Sequence, residues 1–68
     1  MPKLYSSNFI IRILKQRGFQ FVSQKGSHQK FKKDKMVVIV PAPKKEIPMG
    51  TFKSILKQSG LKKEDFEG

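Results

Sequence analysis

Residues 19–40, FQFVSQKGSHQKFKKDKMVVIV, decide the fold because they contain three strand patterns separated by two short turns. β-branched and aromatic residues favour strands, whereas glycine, serine and aspartate favour turns. The pattern predicts strands over 19–24, 28–33 and 36–40. Strands joined by turns this short pair side by side in opposite directions. The stretch therefore predicts a three-stranded antiparallel sheet.

A helix is predicted on each side of this sheet. The first begins at Ser6 or Ser7, whose hydroxyl can accept free amide hydrogens at a helix start, and ends at Gly18. The second has Pro48 in its first turn and ends at Gly60. Both contain apolar residues at helical spacing, namely Phe9, Ile10, Ile13, Leu14, Phe52, Ile55 and Leu56. The order α-β-β-β-α predicts an α+β fold with two helices on one face of the sheet.

The length of 68 residues predicts a single domain over 1–68, with one more helical turn over 62–66 that places Phe66 on the core. No cysteine and one histidine exclude a disulfide framework and a zinc site built on paired histidines. We expect no metal and no cofactor. The longest apolar run, 36–40, is too short to cross a membrane, and the N-terminus lacks a secretory signal pattern. We expect a cytoplasmic protein without a membrane partner.

Positive charge is the strongest feature of the composition. The chain has 15 lysine and arginine residues against five acidic residues, a formal net charge of +10. Residues 1–45 hold eleven of the basic residues and one acidic residue, whereas residues 46–68 hold four of each sign. An excess of this size indicates a polyanionic partner, most often a nucleic acid.

The turn between the first two strands decides which sheet face carries His28, the single histidine. Side chains alternate across a strand, so the turn length sets the register. A turn of two residues would separate the phenylalanines of these strands onto opposite faces. A turn of three residues, 25–27, pairs Phe21 with Phe31 and gives all of these phenylalanines to one core face. We therefore predict the three-residue turn, with His28 at its end on the outer face.

The outer face is predicted to combine one imidazole with lysines and apolar side chains. Its residues are His28, Lys30, Lys32, Val22, Val37 and Ile39. A basic face with apolar patches suits a docking partner. It also suits RNA cleavage, because RNA supplies its own nucleophile, the 2′-hydroxyl. The protein then needs a general base that takes this proton and cations that stabilise the phosphorane charge.

Several motifs, in order along the chain, resemble those of one family. They lie at residues 18–19 (GF), 24–28 (QKGSH), 40–41 (VP) and 50–60 (GTFKSILKQSG). Together they are similar to the HicA family of mRNA interferase toxins over nearly the whole chain. The resemblance implies a fold like that of double-stranded-RNA-binding domains, ribonuclease activity on messenger RNA, and a HicB-family antitoxin that covers the active site.

The resemblance also implies that His28 is catalytic. We expect RNA contacts from seven residues at the hairpin tip, along the second strand and in the loop before the second helix, namely Lys25, Gly26, Ser27, Lys30, Lys32, Lys44 and Lys45. Many members carry a second histidine shortly after the Val-Pro pair. Residues 41–45, PAPKK, contain none, which leaves His28 as the single imidazole.

Three functional hypotheses remain open from the sequence. The first is an endoribonuclease toxin with His28 as the general base. The second is a non-catalytic RNA-binding module, in which lysines contact the phosphates and 2′-hydroxyls of duplex RNA. The third is an interaction protein whose basic face meets an acidic partner. The salt dependence of RNA binding distinguishes the third hypothesis from the others. In a plot of log binding constant against log salt concentration, phosphate-driven RNA binding has a slope of about −0.7 per single-strand phosphate contacted.

Overall fold

The computed structural model describes residues 4–67, which form an α+β fold with the predicted order α-β-β-β-α. The strands form one antiparallel sheet in the order β1-β2-β3. The elements are α1 (Ser7–Gln16), β1 (Gln20–Lys25), β2 (His28–Lys33), β3 (Met36–Pro41), α2 (Met49–Ser59) and a 3₁₀ turn (Lys63–Phe66). Residues 1–3 and 68, which the predicted domain includes, lie outside the described residues. No helix within 4–67 is long and apolar enough to span a membrane.

Helix α1 begins and ends where the sequence predicts. The Ser6 hydroxyl oxygen accepts the Phe9 N–H at 3.1 Å, which caps the helix start. Arg17 closes the helix, and Gly18 leaves it with a φ of 96°, a conformation that residues with a Cβ rarely adopt. The Lys33 ammonium donates to the Arg17 carbonyl at 2.7 Å. A cation therefore sits at the negative end of the helix dipole.

Helix α2 lies against β3 and covers its outer edge. The helix follows Pro48, which is its N-cap and not, as predicted, a residue of its first turn. It ends as predicted at Gly60, whose φ is 72°. The Gln58 side-chain oxygen accepts the Ile39 N–H at 3.0 Å. Because β3 is an edge strand, this bond satisfies a backbone donor that no neighbouring strand reaches.

The turn between β1 and β2 is shorter than predicted. Lys25 pairs directly with His28, so the turn contains two residues, Gly26 and Ser27, and the predicted three-residue turn is wrong. Gly26 has a φ of 59°, as a type II′ hairpin turn requires at its first central position. Lys25 consequently belongs to β1 and not to the turn.

A β-bulge at Val22 restores the phenylalanine pairing that a two-residue turn would break. The register runs from Ser23 opposite Lys30 directly to Phe21 opposite Phe31, so β1 contains one extra residue between these pairs. A bulge produces this one-residue shift. The predicted pairing of Phe21 with Phe31 is therefore confirmed, although it results from a two-residue turn with a bulge and not from the predicted three-residue turn.

The core lies between the helices and one face of the sheet. Its buried side chains come from both helices, β2, β3, the residue before β1, the loop before α2 and the C-terminal turn. They are Ile10, Leu14, Phe19, Phe31, Val38, Val40, Ile47, Phe52, Ile55 and Phe66. Both helices contribute to this one cluster, which confirms that they cover the same sheet face. Phe66 is 2% exposed, so its predicted docking on the core is also confirmed.

Phe21 is not part of the core, in contrast to the prediction. Its side chain is 51% exposed, although it contacts the Phe31 ring edge to face at a centroid distance of 5.8 Å. The helices pack mainly against β3, and β1 lies at the opposite edge of the sheet. Phe21 therefore shares a face with the core but extends beyond the area that the helices cover.

Candidate functional site

The sheet face opposite the helices carries His28. Phe31 is fully buried on the helix side of β2, and side chains alternate along a strand, so His28 and Lys30 point to the other side. His28 is solvent-exposed. The prediction that this histidine lies outside the core, at the end of the hairpin turn, is confirmed.

The two-residue turn adds side chains from β1 to the same face. Residues directly opposite each other in an antiparallel pair share a face. Lys25 is opposite His28, and Ser23 is opposite Lys30. On the other side of β2, Lys30 is opposite Ile39. Side chains from all three strands therefore share this face with the imidazole.

These residues line a cavity of about 580 Å³ at the hairpin tip. The lining consists of Ser23, Lys25, Gly26, Ser27, His28, Lys30 and Ile39. Its volume falls within the range of about 300–1,000 Å³ that is usual for small-ligand sites. The cavity combines one imidazole, two ammonium groups, two hydroxyls and an apolar surface. This set can accept a proton, attract a phosphate and contact a nucleobase.

A backbone hydrogen bond fastens the hairpin tip to the end of β3. The Ala42 N–H donates to the Ser27 carbonyl at 2.7 Å, immediately beyond the pairing of His28 with Pro41. Ala42 is 3% exposed, so this junction is anchored in the interior. The imidazole is therefore carried by a strand that is paired on both sides, which fixes the His28 backbone relative to that of Lys25.

The other predicted RNA-binding lysines do not join this cavity. Lys32 lies on the same outer face but opposite Val37, beyond the cavity lining. Lys44 and Lys45 line a separate concavity of about 350 Å³ at the start of α1. The structure thus divides the predicted residues into a group around His28, one lysine farther along β2, and a pair beside α1.

The lysine pair is positioned by Ser7, which is 1% exposed. The Lys44 N–H donates to the Ser7 hydroxyl oxygen at 2.9 Å, and the Ser7 N–H donates to the Lys44 carbonyl at 2.9 Å. These two bonds hold the loop after β3 against the helix. The sequence allowed either Ser6 or Ser7 as the cap of α1. The cap is Ser6, and Ser7 instead binds the Lys44 backbone.

Two residues of the cavity were missed as site residues by sequence reasoning. The predicted first strand contains Ser23 but gives it no role in the site, and the predicted outer face includes Ile39 only as an apolar residue. The two-residue turn puts Ser23 opposite Lys30. A sequence prediction with the correct turn length would therefore have identified Ser23 as a site residue. Across residues 4–67, no group of three or more His, Asp or Glu side chains could hold a metal ion.

A comparison with protein families identifies the class of the chain. A family model described as the HicA toxin of bacterial toxin-antitoxin matches residues 8–61, which is most of the chain. The chain belongs to the HicA toxin family. A search of curated proteins found no match.

Membership of the HicA family gives the chain a biological class. It is a toxin of a bacterial toxin–antitoxin system, and such a toxin has an antitoxin as its partner. The matched residues include α1 except its first residue, the whole sheet and α2. The hairpin tip with His28 therefore lies inside the segment that defines the family.

Proposed function

We propose that this HicA-family toxin is an endoribonuclease that cleaves messenger RNA, with His28 as its general base. The observation that carries the proposal is the cavity at the hairpin tip, where an exposed imidazole shares the lining with Lys25, directly opposite it, and Lys30, two residues along β2. Histidine is the side chain suited to proton transfer near neutral pH. The neighbouring ammonium groups suit a polyanionic substrate.

In the proposed reaction the RNA supplies the nucleophile. His28 accepts the proton of a 2′-hydroxyl, and the 2′-oxygen attacks the adjacent phosphorus. The bond from phosphorus to the 5′-oxygen breaks, and this oxygen gains a proton. The products are a 2′,3′-cyclic phosphate and a 5′-hydroxyl. General base catalysis of this kind contributes about 10²- to 10⁴-fold in rate.

Lys25 and Lys30 stabilise the negative charge that develops on the phosphorane. Preorganised cations at the position where charge develops lower the barrier more than they stabilise the ground state. His28 in its protonated form, a lysine ammonium group and water are the candidates for protonating the leaving 5′-oxygen. Ser23, Ser27 and Ile39 complete the cavity lining. In the proposed complex they contact the nucleotide at the cleaved bond.

The reaction class is tested with the purified toxin and a labelled single-stranded RNA. We expect cleavage fragments that end in a 2′,3′-cyclic phosphate. An RNA with a single 2′-deoxy nucleotide at the cleaved position is the matched control, and it should remain intact at that bond. Fragments that end in a 3′-hydroxyl, or equal cleavage of the deoxy control, would contradict the mechanism.

A non-catalytic RNA-binding module is the second candidate function. The observation that favours it is the pair Lys44 and Lys45, whose concavity at the start of α1 is separate from the one that contains His28. Basic residues placed there can hold phosphates without taking part in cleavage. Retention of labelled RNA by the wild-type protein with no cleavage product would support this candidate and reject the enzyme.

The proposed substrate and family together define the setting. A toxin that cleaves messenger RNA acts in the cytoplasm, where the messages are translated. The proposed protein partner is an antitoxin of the HicB family, which neutralises the toxin. The proposed reaction needs neither a metal ion nor a small-molecule cofactor, because the 2′-hydroxyl, the imidazole and the ammonium groups supply all of its chemistry.

A further inference from the structure

The free edge of β1 carries two adjacent exposed apolar side chains. Phe21 is 51% exposed and Val22 is 50% exposed, and among the described residues Val37, on the opposite edge strand, is the other large apolar side chain that is exposed. Single exposed apolar residues are common, whereas these two follow each other directly on an edge strand, and we call them the apolar patch of this edge. Every residue of β1 is exposed.

The two edges of the sheet differ in whether their backbone groups are covered. On β3, Gln58 accepts the Ile39 N–H. The backbone groups of Ile39 therefore point away from β2. Those of its partner Lys30 point to β1, because backbone groups alternate in direction along an antiparallel pair. The next residues of β2, Gln29 and Phe31, bond to β3 instead. Their partners on β1, Gln24 and Phe21, therefore direct their backbone N–H and C=O groups away from the sheet. The β1 edge thus presents donors and acceptors to a further strand.

The two sides of this edge also differ in charge. On the helix side, Phe21 is followed by Gln24 and its cross-strand neighbour Gln29, which are uncharged. The nearby cation on that side, Lys33, donates to the backbone carbonyl of Arg17. On the outer side stand three lysines of β1 and β2, namely Lys25, Lys30 and Lys32.

We propose that the β1 edge is a docking site for the antitoxin, through an extended antitoxin segment that adds a fourth strand to the sheet. Side chains of an added strand alternate between its two sides. The segment that fits has apolar side chains where it meets Phe21 and an acidic side chain where it meets Lys25, the outer-face lysine of β1. For the identity of the partner, this inference rests on the proposed function.

The same observations disfavour the other occupants of this edge. A second copy of the chain would bring another net charge of +10 beside the first, and the bulge at Val22 interrupts regular pairing between identical edges. RNA would need free cations beside Phe21, and the helix side offers amides there. An acidic, strand-forming protein segment satisfies the backbone groups, the apolar patch and Lys25 together.

The test compares two exposed apolar residues on opposite edges. Phe21→Thr removes the aromatic ring from the β1 edge and keeps a strand-forming residue, and Val37→Thr is the matched control on β3. The probe is the purified antitoxin encoded beside the toxin gene. We expect Phe21→Thr to weaken antitoxin binding by about 30-fold, as for a central interface residue, and Val37→Thr to change it less than threefold. RNA cleavage by free Phe21→Thr should match that of the wild type, since Phe21 faces away from His28.

Hydrogen exchange on the wild-type complex provides a second measurement that does not depend on the stability of any variant. The backbone amides of Phe21 and Gln24 should exchange more slowly when the antitoxin is bound. Unchanged exchange at both amides, or equal antitoxin affinity of Phe21→Thr and the wild type, would overturn the proposal. Loss of RNA binding in Phe21→Thr with antitoxin affinity retained would assign the edge to RNA instead. A wild-type toxin that binds the antitoxin at this edge but cleaves no RNA would reject the proposed enzyme while supporting this surface.

Discussion

Deletion of Val22 should leave the fold intact, because the β-bulge already contains the extra residue. With Val22 removed, Ser23 stays opposite Lys30 and Phe21 stays opposite Phe31, so the ladder becomes regular without moving any other pair. Deletion of Ile39 is the matched control in β3. Because the side-chain period is two, it forces either Val38 or Val40 from the core to the outer face.

The expected magnitudes follow from burial. Full burial of a valine is worth about 1.5–3 kcal/mol, and Val22 is 50% exposed, so its deletion loses about 1 kcal/mol. A regular backbone hydrogen bond in place of the bulge offsets about 0.5–1.5 kcal/mol of this loss. Val38 and Val40 are both 0% exposed, so the Ile39 deletion loses at least one full valine burial. A domain of this size has about 3–10 kcal/mol of total stability.

Urea unfolding followed by circular dichroism measures both free energies. We expect the Val22 deletion to unfold within about 1 kcal/mol of the wild type and to retain RNA cleavage, since Lys25 remains opposite His28. The Ile39 deletion should lose about 2 kcal/mol or more. Equal destabilisation by the two deletions would refute the argument that the bulge absorbs the register difference.

Three further substitutions test individual contacts. Ser7→Ala leaves the Lys44 N–H without its partner and should lower the free energy of unfolding by about 1–2 kcal/mol. Ser54→Ala, on the exposed side of α2, is the control and should lower it much less. Equal losses would contradict the anchoring role of Ser7. Lys33→Met removes the cation at the end of α1 and should lower stability by about 1 kcal/mol at low salt and by less at 1 M salt, with Lys35→Met as the control in urea melts. Gly26→Ala should cost about 1–2 kcal/mol through its φ of 59° alone, because no atom lies within 4 Å of the added carbon; a larger loss in the same melts would reveal an unrecognised clash.

The sequence predicts the element order because each element carries its own signals. The Ser6 cap, the glycines after both helices and the β-branched run of β3 are local features, and local physics decides them. The outward position of His28 was also predictable. Side chains alternate along β2, so the burial of Phe31 fixes which residues of that strand face outward.

The β1 edge was not predictable in the same way. Two solutions place Phe21 opposite Phe31, a three-residue turn or a two-residue turn with a bulge, and the sequence does not distinguish them by hydrophobic pattern. Exposure of Phe21 depends on where the helices lie relative to the sheet, which is a tertiary property. The separation of Lys44 and Lys45 from His28 follows from the Ser7 hydrogen bonds, whose partners are 37 residues apart in sequence.

The central claim is that His28 is the general base of RNA cleavage, and a single-turnover rate for His28→Ala tests it most directly. Gln29→Ala is the control, since Gln29 is the neighbouring residue on the opposite face of β2. With the fold of each variant verified by circular dichroism, we expect His28→Ala to cleave about 10²- to 10⁴-fold more slowly than the wild type and to relieve growth arrest in cells. A His28→Ala rate within threefold of the wild type would contradict the claim.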